Sequence, residues 1–365
     1  MLLYAPEIVR IDITGRCNLR CTHCQANMFL GKKSLELTTD QWKKVLKELA
    51  NEGAITVGFL GGEPFLRKDF IELLRYANGL GLKTTVTTNG TLIQNDVLDI
   101  LINETNTYTV FSLDGPNFIT HDIIRGNGQF NKTLERIRYF SNEQIKKSKN
   151  LLGISSTLHK TNLACFTDIF TLCKDLKVNS LSIAEVHSTG RATENWDILK
   201  IENTEFLKIC EKIAFFSEKF KIFFQIRLDL FPASYREYLK RNLNIYLDQE
   251  IRLDRSSINE CYIQHDGLVF PSQQFSTMIP NVLKNAEEIG IFFKNNSLKE
   301  YDFKKIWRGD EFNKYRRYLL NSNYVQNMKP CNMCKFKNTY CQPSFGKYLL
   351  KPVIANPLCD FVFNI

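Results

Sequence analysis

The sequence predicts an α/β fold: a parallel sheet with helices between its strands, followed by a small cysteine-rich C-terminal domain. Two features carry the sheet. Extended and helical patterns alternate from residue 8 to about residue 228, the order that builds parallel sheets. The unusual residues also fall where extended segments end, and ligand sites of such sheets lie at the C-terminal ends of the strands. A third feature marks the tail. After about residue 255 the alternation gives way to a short hairpin signal and a cysteine-rich, loop-like stretch. A boundary near 245–258 divides the chain into residues 1–250 and 251–365.

The elements follow in order. Residues 8–13 alternate like a strand and run into a cysteine loop. Trp42, Val45, Leu46 and Leu49 recur at helical spacing, with Thr39 as the expected N-cap. Residues 55–60 form a second strand, ended by Gly61-Gly62-Glu63-Pro64. Pro64 suits the start of a helix, where its missing N–H costs nothing. Phe70, Leu73, Leu74, Ala77 and Leu80 form another helical stripe, stopped by Gly79 and Gly81. Residues 82–88 are a third strand ended by Asn89-Gly90, and 107–113 a fourth ended by Asp114-Gly115-Pro116. Residues 151–158, 180–186 and 222–228 are the fifth to seventh extended segments. In the tail, Asp266-Gly267 makes a hairpin between 262–264 and 268–270.

Composition excludes several classes. Lys and Arg number 48 against 39 Asp and Glu, a formal net charge of +9 spread along the chain, with the densest run at Lys146, Lys147 and Lys149. No nucleic-acid-binding motif accompanies it, so nucleic acid is not an expected partner; an acidic peptide is compatible. No run of 18 or more apolar residues is present, so no membrane span is expected. The first residues lack the basic region and long apolar stretch of a signal peptide, and a cytoplasmic protein is expected.

Eleven cysteines in such a chain favour metal binding or catalysis over a disulfide framework. Cys17-x3-Cys21-x2-Cys24 supplies three thiolates on one loop. Cysteine thiolates hold iron–sulphur clusters, and three ligands on a four-iron cube leave one iron free. A zinc site completed by His23 or a distant residue is the competing reading, although structural zinc sites normally come as paired ligand couples.

Cys17-Asn-Leu-Arg-Cys21-Thr-His-Cys24 resembles the cluster loop of the radical S-adenosylmethionine (radical SAM) superfamily. Gly61-Gly62-Glu63-Pro64 resembles that family's glycine-rich motif; Ser112 to Pro116, Ile124-Arg125-Gly126 and Gly190-Arg191-Ala192 also fit, in the right order over residues 8–230. The resemblance implies a partial (β/α)6 barrel and a [4Fe–4S] cluster on Cys17, Cys21 and Cys24 that binds S-adenosylmethionine through its open iron. It implies reductive cleavage of that cofactor to a 5′-deoxyadenosyl radical, with the protein positioning and shielding the chemistry. By the same resemblance Gly61 and Gly62 let the backbone approach the methionyl group, and Glu63 lies near its ammonium. His23 lies beside the adenine, Ser112 and Asp114 contact the ribose or carboxylate, and Arg125 pairs with the carboxylate. Asn89 belongs to the same set, although Asn89-Gly90 also reads as a simple turn.

Cys331-x2-Cys334-x6-Cys341, with Cys359, could hold zinc or a four-iron cluster; spacing alone does not decide. The segment resembles the C-terminal extension called SPASM, or its shortened twitch form, with Ile306-Trp307-Arg308 as its run-in. That resemblance implies auxiliary [4Fe–4S] clusters. Ser272 stands where a cysteine is usual five residues after Gly267, and Phe345 where another is usual four residues after Cys341. One auxiliary cluster, on Cys331, Cys334, Cys341 and Cys359, is therefore expected. Cys261 is left over, either as a packed thiol or as a catalytic hydrogen-atom donor. Cys165, Cys173 and Cys210 lie in helical patterns and read as core residues.

The expected activity is modification of a ribosomally made peptide by crosslinking, thioether formation or epimerisation. Alternatives are radical oxidation or epimerisation of a small molecule such as an aminosugar, tetrapyrrole or cofactor chemistry, and a non-catalytic metal-binding module. A reductant protein such as flavodoxin or ferredoxin is an expected partner. With only sixteen residues before Cys17, a separate peptide-recognition protein is expected too.

Overall fold

The alternation of extended and helical segments becomes a nine-stranded sheet in the computed structural model. The structure describes residues 5–25, 36–247, 256–275, 280–288, 290–321, 323–326, 328–337, 341 and 356–363. Strands β1 (Ile8–Asp12), β2 (Thr56–Leu60), β3 (Lys83–Thr88), β4 (Tyr108–Ser112), β5 (Leu152–Leu158), β6 (Ser180–Glu185) and β7 (Gln225–Leu228) lie side by side in chain order. All their pairings are parallel. The hairpin β8 (Glu260–Ile263) and β9 (Val269–Phe270) extends the same sheet beyond β1, with β8 parallel to β1 and β9 antiparallel to β8. The six strands of the expected partial barrel are β1 to β6, with β7 continuing one edge.

Helices α1 (Thr39–Glu52), α2 (Phe70–Gly79), α3 (Asn95–Asn103), α4 (Phe118–Arg125), α5 (Gln129–Lys146), α6 (Asp168–Asp175), α7 (Arg191–Glu194), α8 (Trp196–Leu199) and α9 (Asn203–Phe220) fill the crossovers, and α10 (Ala233–Leu243) follows β7. Beyond the hairpin lie α11 (Pro280–Glu288), α12 (Phe303–Arg308), α13 (Asp310–Asn321), α14 (Asn323–Gln326) and α15 (Pro357–Phe363). Helix α1 buries Trp42, Val45, Leu46 and Leu49, the stripe read from the sequence, each such side chain contributing roughly 1.5–3 kcal/mol. Its N-cap is Thr38, not Thr39. Thr38 has the extended backbone a cap requires, and its side chain accepts from Gln41 N while the Gln41 side chain accepts from Thr38 N.

The two faces of the sheet differ in chemistry. Register aligns Val9, Val57 and Thr84 in one row and Ile11, Phe59, Val86, Thr109 and Leu152 in the next. All of these residues are buried, and the apolar ones belong to the main core. The opposite face aligns Arg10, Gly58, Thr85 and Tyr108, and further along Ser112, Ser155, Ser182 and Arg227. Apart from Gly58, these are half-buried or exposed. This open face is lined mainly by hydroxyl groups. The tail joins the core through α12: Phe303, Ile306 and Trp307 pack into it, and Phe303 N donates to Glu48 Oε2 of α1 at 2.9 Å.

Candidate functional site

The loop after β1 carries Cys17, Cys21 and Cys24, and the ends of four other segments grip it. From the β2 end, Gly62 N donates to Thr14 O at 2.9 Å and Glu63 N to Arg16 O at 2.7 Å. From the β3 end, Asn89 Nδ2 donates to Asn18 Oδ1 at 2.9 Å. From α4, Ile124 O accepts from Thr22 N at 3.0 Å. Beyond β6, Arg191 N donates to Cys24 O at 2.9 Å and Arg191 Nη1 to Cys21 O at 2.9 Å.

Two glycines make this approach possible. A Cβ on Gly62 would stand 2.0 Å from Arg16 O. Gly190, with φ +56°, would place one 2.3 Å from Gln25 O. Both positions press backbone on backbone, which any side chain prevents.

The thiols lie near one another. Burial pushes Cys17 up to about 12, and the neighbouring Glu63, Cys21 and Cys24 add to the effect, while an N–H from Leu19 at 3.4 Å opposes it. Burial also pushes Cys21 up, against the pull of Arg125. Among the described residues no three His, Cys, Asp or Glu side chains close around a single-ion centre. A four-iron cube takes each thiolate on a different iron and does not ask them to. Three thiols on a loop held by backbone contacts, with charge-assisting arginines beside them, form a donor set that fits a [4Fe–4S] cluster.

Glu63 is buried at the mouth of this loop. Its carboxylate accepts from Thr88 Oγ1 at 2.8 Å, Asn89 N at 2.9 Å and Phe65 N at 3.3 Å. Burial still pushes it up to about 7, because these bonds recover only part of its lost solvation. Asp12, at the end of β1, is likewise pushed up to about 7 by burial, against a hydrogen bond from the Tyr262 hydroxyl.

Asp114, after β4, is the hub of the other wall. Arg125 Nε donates to its Oδ2 at 2.6 Å, Thr157 N to Oδ1 at 3.0 Å, and Asn162 Nδ2 to its carbonyl at 2.6 Å. Burial alone would raise its carboxyl; the Arg125 guanidinium overrides burial and holds it well below the usual carboxylate range. His23 Nε2 lies 3.6 Å from Asp114 Oδ2. Burial lowers His23, His121 and His159 to about 4 each. All three rings are therefore neutral at pH 7, and the His23–Asp114 contact is not an ion pair.

His23, Gly61, Gly62, Glu63, Asn89, Asp114 and Arg125 thus come together around the cysteine loop. Ser112 lies on the open face beside Ser155. Cys261 is not brought to this site. It pairs in register with Val9 and is buried in the main core, on the helix-packed face opposite Arg10 and Tyr262. Cys173 and Cys210 are core residues, while Cys165 is only half-buried. Reading by motif did not assign Arg191, Asn18 or Thr88 to the site. Their roles depend on partners far along the chain, and only the Gly190-Arg191 pattern hinted at one of them.

In the tail, Cys331, Cys334, Cys341 and Cys359 line one cavity together with Ser234, Pro330 and Lys337. Burial pushes Cys359 up to about 12; the Ser234 hydroxyl opposes this and the other three thiols add to it. Ser272 is half-buried beside the hairpin. Phe345 lies outside the described residues. Among the described residues no helix is long and apolar enough to cross a membrane.

Comparison with known proteins agrees with this geometry. The sequence model of the Radical SAM superfamily matches residues 11–172. The AdoMet-dependent heme synthase of Oleidesulfovibrio alaskensis is 28% identical over 374 residues, covering 98% of this chain and 88% of that protein. The PqqA peptide cyclase of Rhodopseudomonas palustris is 28% identical over 338 residues, covering 91% and 80%. Among solved structures, Streptococcus suis SuiB bound to its precursor peptide SuiA superposes with a TM-score of 0.66 at 19% identity, over 86% of this chain and 67% of that one. Native anSMEcpe with bound AdoMet superposes with a TM-score of 0.65 at 16% identity, over 98% and 95%. Residues 11–172 carry a radical SAM domain, and the chain is an enzyme.

Proposed function

We propose that Cys17, Cys21 and Cys24 hold the [4Fe–4S] cluster, that the residues gathered around their loop bind S-adenosylmethionine, and that the enzyme modifies a ribosomally made peptide. A cluster held by Cys17, Cys21 and Cys24 would supply the electron for reductive cleavage of S-adenosylmethionine, and that cofactor would supply the radical chemistry on the substrate.

The protein's own part is binding, orientation and exclusion of water. Glu63 accepts hydrogens from the cofactor's amino group, whose positive charge favours the ionised carboxylate. Arg125, held by Asp114, offers its remaining donors to the cofactor's carboxylate. Neutral His23 presents an uncharged ring to the adenine, and Asn89, Gly61 and Gly62 hold the loop at its fixed distance from the β2 and β3 ends. Ser112 contributes a hydroxyl to the wall facing substrate. Cys261, on the opposite side of the sheet, serves packing.

The hydroxyl-lined open face carries the peptide reading. Thr85, Thr87, Ser112, Ser155, Thr157 and Ser182 offer donors and acceptors that suit backbone amides. A flat apolar macrocycle would leave them unpaired at a cost of roughly 1–3 kcal/mol each where water is excluded. Similarity to a peptide cyclase over most of the chain supports the same reading. Similarity to a heme synthase over 98% of the chain favours a tetrapyrrole as the second reading.

The cavity lined by four cysteines supports an auxiliary [4Fe–4S] cluster in residues 251–365, a SPASM- or twitch-like domain after a 1–250 core. A flavodoxin or ferredoxin is the proposed reductant, and a separate recognition protein the proposed carrier of the peptide. The test is anaerobic turnover with any short peptide found encoded near this gene and, separately, with an iron porphyrin. Peptide-stimulated 5′-deoxyadenosine and a changed peptide mass support the first reading. Stimulation by the porphyrin alone replaces it with the second.

A further inference from the structure

We propose that Ser234 is a positioning residue of the C-terminal metal site: its hydroxyl donates to the Cys359 sulphur and raises the reduction potential of the cluster held there. This rests on the reading that Cys331, Cys334, Cys341 and Cys359 hold a four-iron cluster.

Ser234 belongs to the core, in the first turn of α10, whereas Cys359 sits on α15 at the other end of the chain. Its Oγ lies 3.5 Å from Cys359 Sγ, it is 4% exposed, and both residues line the cavity that the other three cysteines share. In the metal-free protein either atom can be the donor. Coordination removes the thiol proton, so the hydroxyl then becomes the donor of the pair. A hydrogen bond to a coordinated sulphur favours the more negative, reduced state of a cluster and raises its potential. The N-terminal end of α10 carries partial positive charge that acts in the same direction.

The hydroxyl is held in place by packing around it. The Tyr238 ring meets Phe361 of α15 edge-on at 5.2 Å, and Tyr235 meets it at 6.5 Å. Asn356 caps the start of α15 by accepting from Leu358 N at 2.9 Å, and its amide donates to Leu230 O at 3.0 Å, just before α10. Cys359 therefore cannot shift relative to Ser234 without disturbing the α10–α15 contact. The radical SAM core thereby reaches into the tail's metal site through one buried hydroxyl.

The test uses the full chain carrying Cys17→Ala, Cys21→Ala and Cys24→Ala, so that only the C-terminal site takes up a cluster. In this background Ser234 is compared with Ser234→Ala, Ser234→Thr and Ser234→Val. Each protein is loaded with iron and sulphide without oxygen, and its midpoint potential is read by EPR during a redox titration. The expected result is about four irons per chain, a more negative midpoint in Ser234→Ala, and a midpoint near the parent's in Ser234→Thr. If Ser234→Ala fails to load, the near-isosteric Thr and Val variants decide, because they differ in the hydroxyl. Equal midpoints with and without the hydroxyl, at equal iron content, overturn the role of Ser234 and leave the cluster standing. A parent protein that binds zinc or no metal at all overturns both.

Discussion

Arg125 donates its Nε hydrogen to Asp114 Oδ2 at 2.6 Å, and the same guanidinium brings Nη1 to 3.9 Å from Cys21 Sγ. The pair ties the end of β4 to the cysteine loop. Asp114 is fully buried, so its charge is tolerable only because Arg125, Thr157 N and the rest of its hydrogen-bond shell replace water. The pair stays ionised at neutral pH, Asp114 held low and Arg125 held high by each other.

Breaking that pair from one side should be severe. Asp114→Asn leaves Arg125 buried beside a neutral amide, and the expected loss is roughly 3–5 kcal/mol. Denaturant unfolding of the metal-free protein reads it. Asp114→Asn with Arg125→Gln should lose less than the two single variants summed, because each single already removes the shared interaction. Additive losses would show that the two side chains do not act as a pair.

Glu63 makes stability pH-dependent. Its pKa rises from 4.5 unfolded to about 7 folded. Between those values the unfolded chain has released its proton while the folded protein keeps it, so stability falls as pH rises through this window and levels off above pH 7. The metal-free wild type should therefore lose about 3 kcal/mol relative to Glu63→Gln between pH 4.5 and 7. A pH-independent difference between the two unfolding curves would contradict the assignment. Glu63→Gln should also bind S-adenosylmethionine more weakly, by roughly tenfold for one lost charge-assisted hydrogen bond.

Cluster loading should release protons. Cys17 is held up at about 12 and is a thiol at neutral pH, whereas ligation needs the thiolate. Iron and sulphide uptake should improve from pH 7 to 9, with acid release recorded in a pH-stat. Replacing Cys17, Cys21 or Cys24 by Ala should abolish 5′-deoxyadenosine formation. Undiminished formation by any of the three would refute the ligand set.

Gly62→Ala should damage the site without touching a chemical group. The added methyl meets Arg16 O at 2.0 Å, which is backbone and cannot rotate away. A loss of about 1–3 kcal/mol is expected for such overpacking, together with reduced iron retention, measured by unfolding and by iron analysis.

Iron content distinguishes the cysteine sets. The anaerobic protein should hold about eight irons, and Cys331→Ala about four, with cofactor cleavage partly preserved in the variant. Cys261→Ala should leave iron unchanged, since that thiol lies in the main core against β1. Loss of one cluster's iron in Cys261→Ala would place it among the ligands after all.

The sequence by itself determined the succession of strands and helices along residues 8–228, the loop chemistry at the strand ends and the helical stripe of Trp42, Val45, Leu46 and Leu49. Those features are local: a period of two or 3.6 residues and a turn motif are complete within a short window. Tertiary structure decided the rest. Arg191 reaches Cys21 O across 170 positions of sequence, and no local pattern encodes that distance. The tight packing of Gly62 against Arg16 O exists only because β1 and β2 pair in one register. Cys261, read as a thiol of open role, became a core residue once β8 paired with β1 and set it beside Val9. A slip of one residue would have turned it to the open face, because side chains alternate along a strand and register is a property of the pair, not of either sequence alone.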